Sequence, residues 1–573
     1  MKMSSLSMRL AFGTALCAAI AFAPSGARIA SAASISPPIS YERAVAPLVY
    51  MHPVDMRVAP SSVFQPLRHA PGFMPDLRGM SEARYRTLKR LALHNPLAPA
   101  NPFPMIDSSE ISPFTTPGLN KSFNGMADSA STCPYFGGCE PPDMAVASNG
   151  TWVVQATNTS IAVYNTSGTL QAGWPKNSQV FFNIPNPPNN CDPNGPFTSD
   201  PRALYDPADK RFWVVFLQVE GAFSPAGGCP EQTLYWAAVS QTNNPNGVWN
   251  VYAFNMAFKT TNAADYTQVG LDNVAFYFAG NMFNQFGSAY VYAETFAANK
   301  KSMEAGIATT PLGIKNLKVG STVVDTVQPV MVEANGGKYP PAGLFIDSFN
   351  INSGGGSCSS GCQGVNVWAM RKPLTAPAMS QVTVSTGTYT LAPLASEPGC
   401  TQCIETIDTR ITGTPVYEGG NISWSLDTAV ASGGFTTPGV FWGQVSPIFT
   451  GNMVTGGTLT QSGIVSYSGS SNHDASFGAM MPDNSGDLFM VFDTMSNTID
   501  PSAAYVIHKP TDALGHFEGA KYLIKGTATS PDSRWGDYEA ASYEGPSSNQ
   551  VWFASEYGAA ASDWNTWMGR TKI

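Results

Sequence analysis

The chain has 573 residues, of which 12% are charged, and it contains 53 glycines and 45 prolines. This composition favours many short strands joined by turns over long helices or alternating strands and helices. The net charge of −9 makes nucleic acid an unfavourable partner, and the sequence has no GxSxG, HExxH, P-loop or CxxCH motif.

The first 33 residues predict a secretory signal peptide. Lys2 and Arg9 supply a basic start, and the apolar segment Leu10–Ala23 is too short to span a membrane. Ala30-Ser31-Ala32 offers a small-residue cleavage site. No later segment is apolar enough for an anchor. We therefore expect a secreted protein, extracellular or periplasmic, without a transmembrane anchor.

Residues 34–125 form a basic N-terminal extension or pro-segment. Within 41–95 there are eight Lys or Arg against four Asp or Glu. The pattern of Met80–His94 predicts one helix, capped by Ser81, with Tyr85, Leu88, Leu91 and Leu93 toward one side. Three roles of this extension are open: a removable pro-segment, a strap packed on the acidic body, and a tether to an anionic surface. The opposite charges of the extension and the body favour the first two.

From residue 126 to the C-terminus the chain repeats one phrase: a short apolar strand, a tight turn and a second apolar strand rich in aromatic residues. The copies start 57 to 80 residues apart. They begin at Asp143, Asp200, Asp265, Gln328 (a degenerate copy), Asp408, Asp474 and Asp537. A repeat of strands alone at this period predicts an all-β fold, a seven-bladed β-propeller with six blades as the alternative, preceded by an extension with one helix.

Aspartates that open the inner strands of a propeller are expected to form a ring at one mouth of the central channel. Such carboxylates raise each other's pKa unless they are neutralised. One candidate is Ca²⁺, with Asp143, Asp265 and Asp474 as ligands, although no cofactor is required. The alternative is structural, because aspartates at strand ends commonly accept backbone N–H groups.

Arginine is the second candidate partner for this ring. Arg202 and Arg410 lie two residues after Asp200 and Asp408, and Arg534 lies three residues before Asp537. Guanidinium groups from three blades could bind a ligand carboxylate through bidentate hydrogen bonds. Asp200, Asp408 and Asp537 would then belong to the same ligand-binding site. Simple ion pairs between these arginines and aspartates are equally compatible with the spacing.

Three residues are candidates for catalysis at the mouth. Glu556 and Tyr557 end a strand, and a carboxylate beside a tyrosine could activate the phenol as a nucleophile. His473, next to Asp474, could act as the base of a lyase. A histidine at a strand start is more commonly a hydrogen-bonding residue.

Eight cysteines remain after Cys17 of the signal, and an even number in an exported chain indicates disulfides. Proximity in sequence suggests four pairs: Cys133 with Cys139, Cys191 with Cys229, Cys358 with Cys362, and Cys400 with Cys403. Zinc is the rival interpretation of the CxxC at Cys400, but no second CxxC accompanies it.

The phrases SDPRALYDPADKRFWVVF, IDTRITGTPVYEGG and RWGDYEAASYEG resemble those of secreted bacterial propellers of the sialidase-like (BNR-type) superfamily. The Asp-box of true sialidases, SxDxGxxW, is absent. The resemblance implies that Arg202, Arg410 and Arg534 hold a substrate carboxylate. In that superfamily a tyrosine paired with a glutamate is the nucleophile and an aspartate is the general acid.

These observations predict a monomeric propeller that recognises an extracellular glycan or envelope polymer. The alternatives are a glycoside hydrolase or polysaccharide lyase acting on a carboxylated saccharide, and a non-catalytic surface scaffold or adhesin. The sequence leaves open whether the protein is an enzyme.

Overall fold

The structure is a computed structural model. It describes residues 38–60, 81–94, 116–129, 132, 141–185, 197–220, 232–284, 289–333, 337–350, 358, 361–432, 434–467, 473–531, 533–559 and 564–573. The expected signal peptide lies outside these residues, as do Cys133, Cys139, Cys191 and Cys229. Within the described ranges no helix has the length and hydropathy of a membrane span.

The N-terminal extension contributes three strands and one helix before the repeats begin. In chain order they are β1 (Ile39–Val45), β2 (Leu48–Asp55), α1 (Glu82–Ala92) and β3 (Lys121–Ala127). β1 and β2 each add a strand to the outer edge of a later sheet, as described below.

The first three repeats form three antiparallel sheets. The first contains β4 (Ala145–Ser148), β5 (Trp152–Thr157), β6 (Ser160–Asn165) and β7 (Lys176–Asn177), and is followed by α2 (Ser178–Phe182). The second contains β8 (Phe197–Asp206), β9 (Arg211–Glu220), β10 (Gln232–Ser240) and β11 (Val248–Asn255), with β2 outermost. The third contains β12 (Ala263–Leu271), β13 (Ala275–Phe283), β14 (Tyr290–Asn299), then α3 (Lys300–Glu304), β15 (Leu312–Val319) and β16 (Thr322–Val323), with β1 paired to β15.

The remaining repeats form four further sheets. The fourth contains β17 (Gln328–Pro329), β19 (Gly343–Ser348), β20 (Val365–Arg371) and β21 (Ala378–Val384). The short strand β18 (Met331–Val332) lies between β17 and β19 in the chain but belongs to the fifth sheet. The hairpin β22 (Ala395–Glu397) and β23 (Cys400–Ile404) follows the fourth sheet. The fifth contains β24 (Val416–Glu418), β25 (Asn421–Ser432), β26 (Phe435–Thr450) and β27 (Met453–Val465). The sixth contains β28 (His473–Pro482), β29 (Leu488–Ser496), β30 (Ile499–His508) and β31 (Lys521–Ile524). The seventh contains β32 (Ala540–Tyr543), β33 (Val551–Tyr557) and β34 (Asn565–Thr571).

These sheets are the seven blades of a propeller, so the predicted fold class is confirmed and the six-bladed alternative is not. The innermost strands contact one another in sequence around the ring, and β32 of the last blade returns to β4 of the first. β3 closes the ring because it pairs with β34 as the outer strand of the seventh blade, with Lys121 opposite Arg570. After β17 of the fourth blade the chain crosses to the fifth, where β18 pairs in parallel with β24.

Aromatic side chains fill the space between neighbouring blades. The strands are apolar on both faces because each sheet is covered on both sides by its neighbours. Ring pairs that join adjacent blades include Trp213 with Phe276 (5.0 Å between centroids), Tyr277 with Phe345 (5.4 Å) and Tyr505 with Phe553 (5.4 Å). Pairs of this kind stabilise a core by about 0.5–1.5 kcal/mol beyond their buried area.

The predicted helix is confirmed, and Tyr85 of its predicted side is buried, but the buried face continues through Lys89 and Ala92 and not through Leu91. Ser81 is the N-cap, and its hydroxyl accepts the N–H of Arg84 (3.4 Å). Tyr85, Lys89 and Ala92 are buried, at the four- and three-residue spacing of one helix face, whereas Leu91 is 48% exposed. A lysine can occupy the buried face because polar groups of residues 405–407 accept its ammonium protons, as described next.

Candidate functional site

Six of the seven blades open with a residue in the left-handed backbone region. They are Asp143 (φ 43°), Asp200 (54°), Tyr266 (60°), Thr326 (53°), Ile407 (49°) and Phe477 (56°). This conformation is uncommon for residues other than glycine. In the second, third and sixth blades a shift in strand register lies at the same point, which is the mark of a β-bulge.

The aspartates that align in sequence are therefore not equivalent in the fold. Asp143 and Asp200 occupy the left-handed position themselves, whereas Asp265 precedes it by one residue and Asp408 follows it by one. Asp474 lies three residues before its left-handed neighbour Phe477. The aspartates of the repeat therefore take different backbone positions from blade to blade.

Several of these aspartates join neighbouring blades through backbone hydrogen bonds. The Asp537 N–H donates to Asp143 Oδ1 (2.7 Å), and the Thr267 N–H donates to Asp200 Oδ2 (3.2 Å). The Ser396 N–H, in β22, donates to Asp474 Oδ2 (2.6 Å). Asp143, Asp200 and Asp474 thus accept backbone N–H groups, which is the structural role considered above for the strand-opening aspartates.

Four aspartates from the first, second, third and seventh blades also act on one another as charges. Burial and then the negative charge of Asp537 raise the pKa of both Asp143 and Asp200. Burial, followed by the charges of Asp200 and Asp537, raises the pKa of Asp265 to about 8. Asp265 is only partly buried. A partly exposed carboxyl group at the mouth therefore holds a proton at neutral pH.

Arg410 is fully engaged by Asp408. Its Nε and Nη2 donate to the two carboxylate oxygens at 2.7 Å each, and both side chains are buried. Burial alone would raise the pKa of Asp408, but the charge and hydrogen bonds of Arg410 lower it below its ordinary value. The pair satisfies its own charge inside the protein.

Arg202 is enclosed by aromatic rings. Its guanidinium carbon lies 3.3 Å from the centroid of the Tyr538 ring and 5.7 Å from that of Tyr266, and Nε donates to the carbonyl of Thr267 (2.8 Å). The guanidinium carbon of Arg410 also lies over the Tyr266 ring, 4.5 Å from its centroid. These are cation–π contacts, which gain strength when the cation is desolvated.

Arg534 is the most exposed arginine of the three. Its side chain is 41% exposed, and Nη2 lies 2.6 Å from Asp537 Oδ1. Burial alone would lower its pKa, but the charges of Asp537, Asp143 and Glu405 raise it. The structure thus brings Arg202, Arg410 and Arg534 to one mouth, but it does not present three open guanidinium groups for a ligand.

A second layer of carboxyl groups lies behind the mouth on the sixth and seventh blades. Asp493 accepts the indole N–H of Trp535 (2.9 Å) and the hydroxyl of Ser555 (3.0 Å), and burial raises its pKa to about 7. Burial and then the charges of Asp493 and Glu556 raise the pKa of Glu539 well above its usual range. Asp493 and Glu539 were not among the sequence-predicted residues. The only sequence signal for them is their position. Asp493 follows the apolar run Leu488–Phe492, and Glu539 directly follows Tyr538.

A cavity of about 20 Å³ lies among the inner strands, and it is lined by Arg202, Glu539 and apolar side chains that include Met331 and Met481.

Helix α1 and the hairpin β22–β23 lie on the rim of this mouth. The Tyr85 hydroxyl donates to Glu405 (2.6 Å), and the Lys89 ammonium donates to the Thr406 hydroxyl (2.7 Å) and to the Ile407 carbonyl. Lys89 also lies 3.7 Å from Glu405. Since Glu405 acts on Arg534, the extension is linked electrostatically to the open part of the mouth.

The three candidate catalytic residues are not brought together. Glu556 is buried and accepts the N–H of Gly536 (3.4 Å), whereas the Tyr557 hydroxyl donates to Asn124 of the outer strand β3 (3.0 Å). Neighbouring residues of a strand point to opposite faces, so the expected glutamate–tyrosine pair does not form. The His473 ring packs edge-on against Tyr467 (5.0 Å), and burial lowers its pKa.

Two of the suggested cysteine pairs lie in the described chain, and both are disulfides: Cys358 with Cys362 and Cys400 with Cys403. For metal, the described residues contain one group of acidic side chains close enough to hold an ion, formed by Asp206, Asp209 and Glu304 within 4.8 Å of one another. Lys300 and Lys301 already bind these carboxylates as ion pairs. Asp143, Asp265 and Asp474, the expected calcium ligands, do not form such a group.

No protein-family model and no curated protein matches the chain. Solved structures to which it is similar include a protein of unknown function from Dyadobacter fermentans, at 9% identity and TM-score 0.27, covering 66% of this chain and 95% of that one. They also include a Hadza microbial sialidase, at 9% identity and TM-score 0.34, covering 75% of each chain. A third is an α-L-arabinanase from Cellvibrio cellulosa complexed with arabinohexaose, at 10% identity and TM-score 0.27, covering 65% of this chain and 95% of that one. At these identities and TM-scores we transfer neither activity nor substrate.

Proposed function

We propose that the mouth is the active site of an exported glycoside hydrolase that acts on a carboxylated saccharide. The observation that carries the proposal is the unlike pair of partly exposed carboxyl groups, Asp265 and Asp537. Burial and neighbouring charge hold a proton on Asp265, whereas Asp537 is ion-paired with Arg534. Hydrolysis of a glycosidic bond needs one protonated and one ionised carboxyl group.

Each residue of the cluster has a distinct role in this proposal. Asp265 protonates the leaving oxygen as general acid, and Asp537 serves as the base or nucleophile. The exposed guanidinium of Arg534 binds the carboxylate of the substrate, because its planar fork can hold two carboxylates at once. Arg202 and Arg410, which are buried, are positioning residues that fix Tyr538, Tyr266 and Asp408.

The two disulfides support an oxidising compartment, so we propose that the protein works outside the cytoplasm. A non-catalytic role in glycan recognition is the second candidate. It is favoured by the ion pair between Arg534 and Asp537, because a carboxylate oxygen held by a guanidinium is less available to attack a glycosidic bond.

The test is product release from neutral oligosaccharides and from matched ones that contain uronic or sialic acid, with and without added Ca²⁺. The proposal predicts release from the acidic members only, and loss of release in Asp537→Asn with binding retained. A matched control is Asp512→Asn, in the turn between β30 and β31, where the carboxylate accepts the Lys509 N–H. Saturable binding without release would replace hydrolysis by recognition. Neither binding nor release would overturn both candidates and favour a scaffold or adhesin.

A further inference from the structure

A second cavity lies at the rim of the propeller, where β1 packs on the third blade. Its volume is about 220 Å³, of the order of one sugar ring. β1 supplies Arg43, the turn after β11 supplies Phe258 and Lys259, and β14 and β15 supply Tyr292, Glu294 and Lys315. The cavity is on the third and fourth strands out from the channel, apart from the mouth.

The cavity walls carry three cations. Arg43 and Lys259 are exposed at its opening, and Lys315 is partly buried. Lys315 lies 5.5 Å from the centroid of the Tyr292 ring, and its ion pair with the exposed Glu42 is long, at 3.9 Å. Such a set attracts an anionic group, and a carboxylate can be held by the guanidinium through two hydrogen bonds.

Glu294 adds an unsatisfied polar group to this lining. It is 2% exposed, and its Oε1 has no hydrogen-bond partner among the described residues. Burial raises the pKa of Glu294 well above its ordinary value, with only a partial opposing effect of Lys315. A buried polar atom without a partner costs free energy, and a ligand hydroxyl in the cavity would satisfy it.

We propose that this cavity binds a hexuronate or a similar monosaccharide-sized polyhydroxy carboxylate. The ligand carboxylate pairs with Arg43, Lys259 and Lys315, the apolar face of its ring packs on Tyr292 and Phe258, and a ring hydroxyl bonds to Glu294. The site depends on β1 of the extension and on no residue of the mouth, so it is independent of the proposed hydrolysis.

The test is titration of the full mature protein with glucuronate, and with glucose as the neutral match, by calorimetry. The native protein is expected to bind glucuronate, and to bind glucose about tenfold or more weakly. The variants Arg43→Gln and Lys315→Met are expected to bind glucuronate about tenfold or more weakly than the native protein, because each loses a charge-assisted hydrogen bond. Lys318→Met, on the same strand but not lining the cavity, is the control. Lys259→Met, in an exposed turn, is a further variant that leaves the strands untouched.

Three results would overturn the proposal. They are equal binding of glucose and glucuronate, no binding of glucuronate at millimolar concentration, and binding that survives all three cavity substitutions. Binding that is lost in Arg534→Gln would assign the signal to the mouth instead. A uronate oligomer run beside the monosaccharide distinguishes a free sugar acid from a polymer end as the ligand.

Discussion

Arg410 holds both carboxylate oxygens of Asp408 at 2.7 Å, in a pair that is almost completely buried. The two residues are separated by one position in sequence, on the entry to the fifth blade. Their geometry satisfies both charges within the protein, so a substrate carboxylate would have to displace Asp408 to reach Arg410. The pair therefore fixes the architecture of the mouth.

Replacement of Arg410 by Ala is expected to destabilise the protein by about 3–5 kcal/mol, because it leaves the Asp408 charge buried without its partner. The measurement is the free energy of unfolding in urea. The double variant Asp408→Asn with Arg410→Gln should be less destabilised than Arg410→Ala, since it removes both charges. A stable Arg410→Ala protein that has lost only ligand binding would contradict the structural role.

Stability is expected to fall as the pH rises from about 4 to about 8. The pKa values of Asp325, Asp493 and Asp265 are raised from 3.8 to about 6, 7 and 8. In this range the folded protein binds more protons than the unfolded chain, and each such carboxyl contributes up to about 1.4 kcal/mol per pH unit. The pKa of Asp408 is lowered, so this carboxylate becomes protonated only below this pH range, and its protonation there decreases the stability.

Thermal unfolding between pH 5 and pH 8 checks this expectation. The melting temperature should decrease toward pH 8, and Asp265→Asn should flatten the upper part of the curve. A melting temperature that rises steadily to pH 8 would show that these carboxyl groups are ionised in the folded state.

Helix α1 is expected to leave the rim when Lys89 is replaced by Met. The substitution leaves the Ile407 carbonyl and the Thr406 hydroxyl without the ammonium group, a loss of about 1–3 kcal/mol for buried partners. Hydrogen exchange of residues 82–92 measures the docking of the helix. The control is Arg90→Met, one residue along, because Arg90 is exposed and donates to Thr87 of its own helix. Unchanged protection of α1 in Lys89→Met would show that the helix is held by other contacts.

The repeat and the turns between its strands predicted the blades, because alternating apolar positions and turn residues are local properties of the chain. The helix at Glu82–Ala92 was predictable for the same reason, from Ser81 and its periodicity. Its docked face was not, since the partners of Tyr85 and Lys89 lie more than 300 residues further along the chain. Of the predicted side, Tyr85 is buried, whereas Leu91 is exposed.

The convergence of three arginines at the mouth followed from their positions at strand openings, but their environment did not. The left-handed residue lies at a different distance from the repeated aspartate in different blades, so Asp265, Asp408 and Asp474 take three different places relative to it. Each arginine also has partners from other blades and loops, which the local sequence does not specify. Glu556 and Tyr557 are neighbours on one strand and point to opposite faces, so their adjacency in sequence did not make them a pair.

The most direct test of the active-site proposal is the pH dependence of kcat/KM for the native protein and for Asp265→Asn, on the acidic oligosaccharide that is cleaved. A general acid with the pKa of Asp265 predicts a rate that falls above about pH 8. In Asp265→Asn the rate should drop by about 100-fold or more, and the fall at high pH should disappear. Full activity in Asp265→Asn, with the same profile as the native protein, would contradict the account.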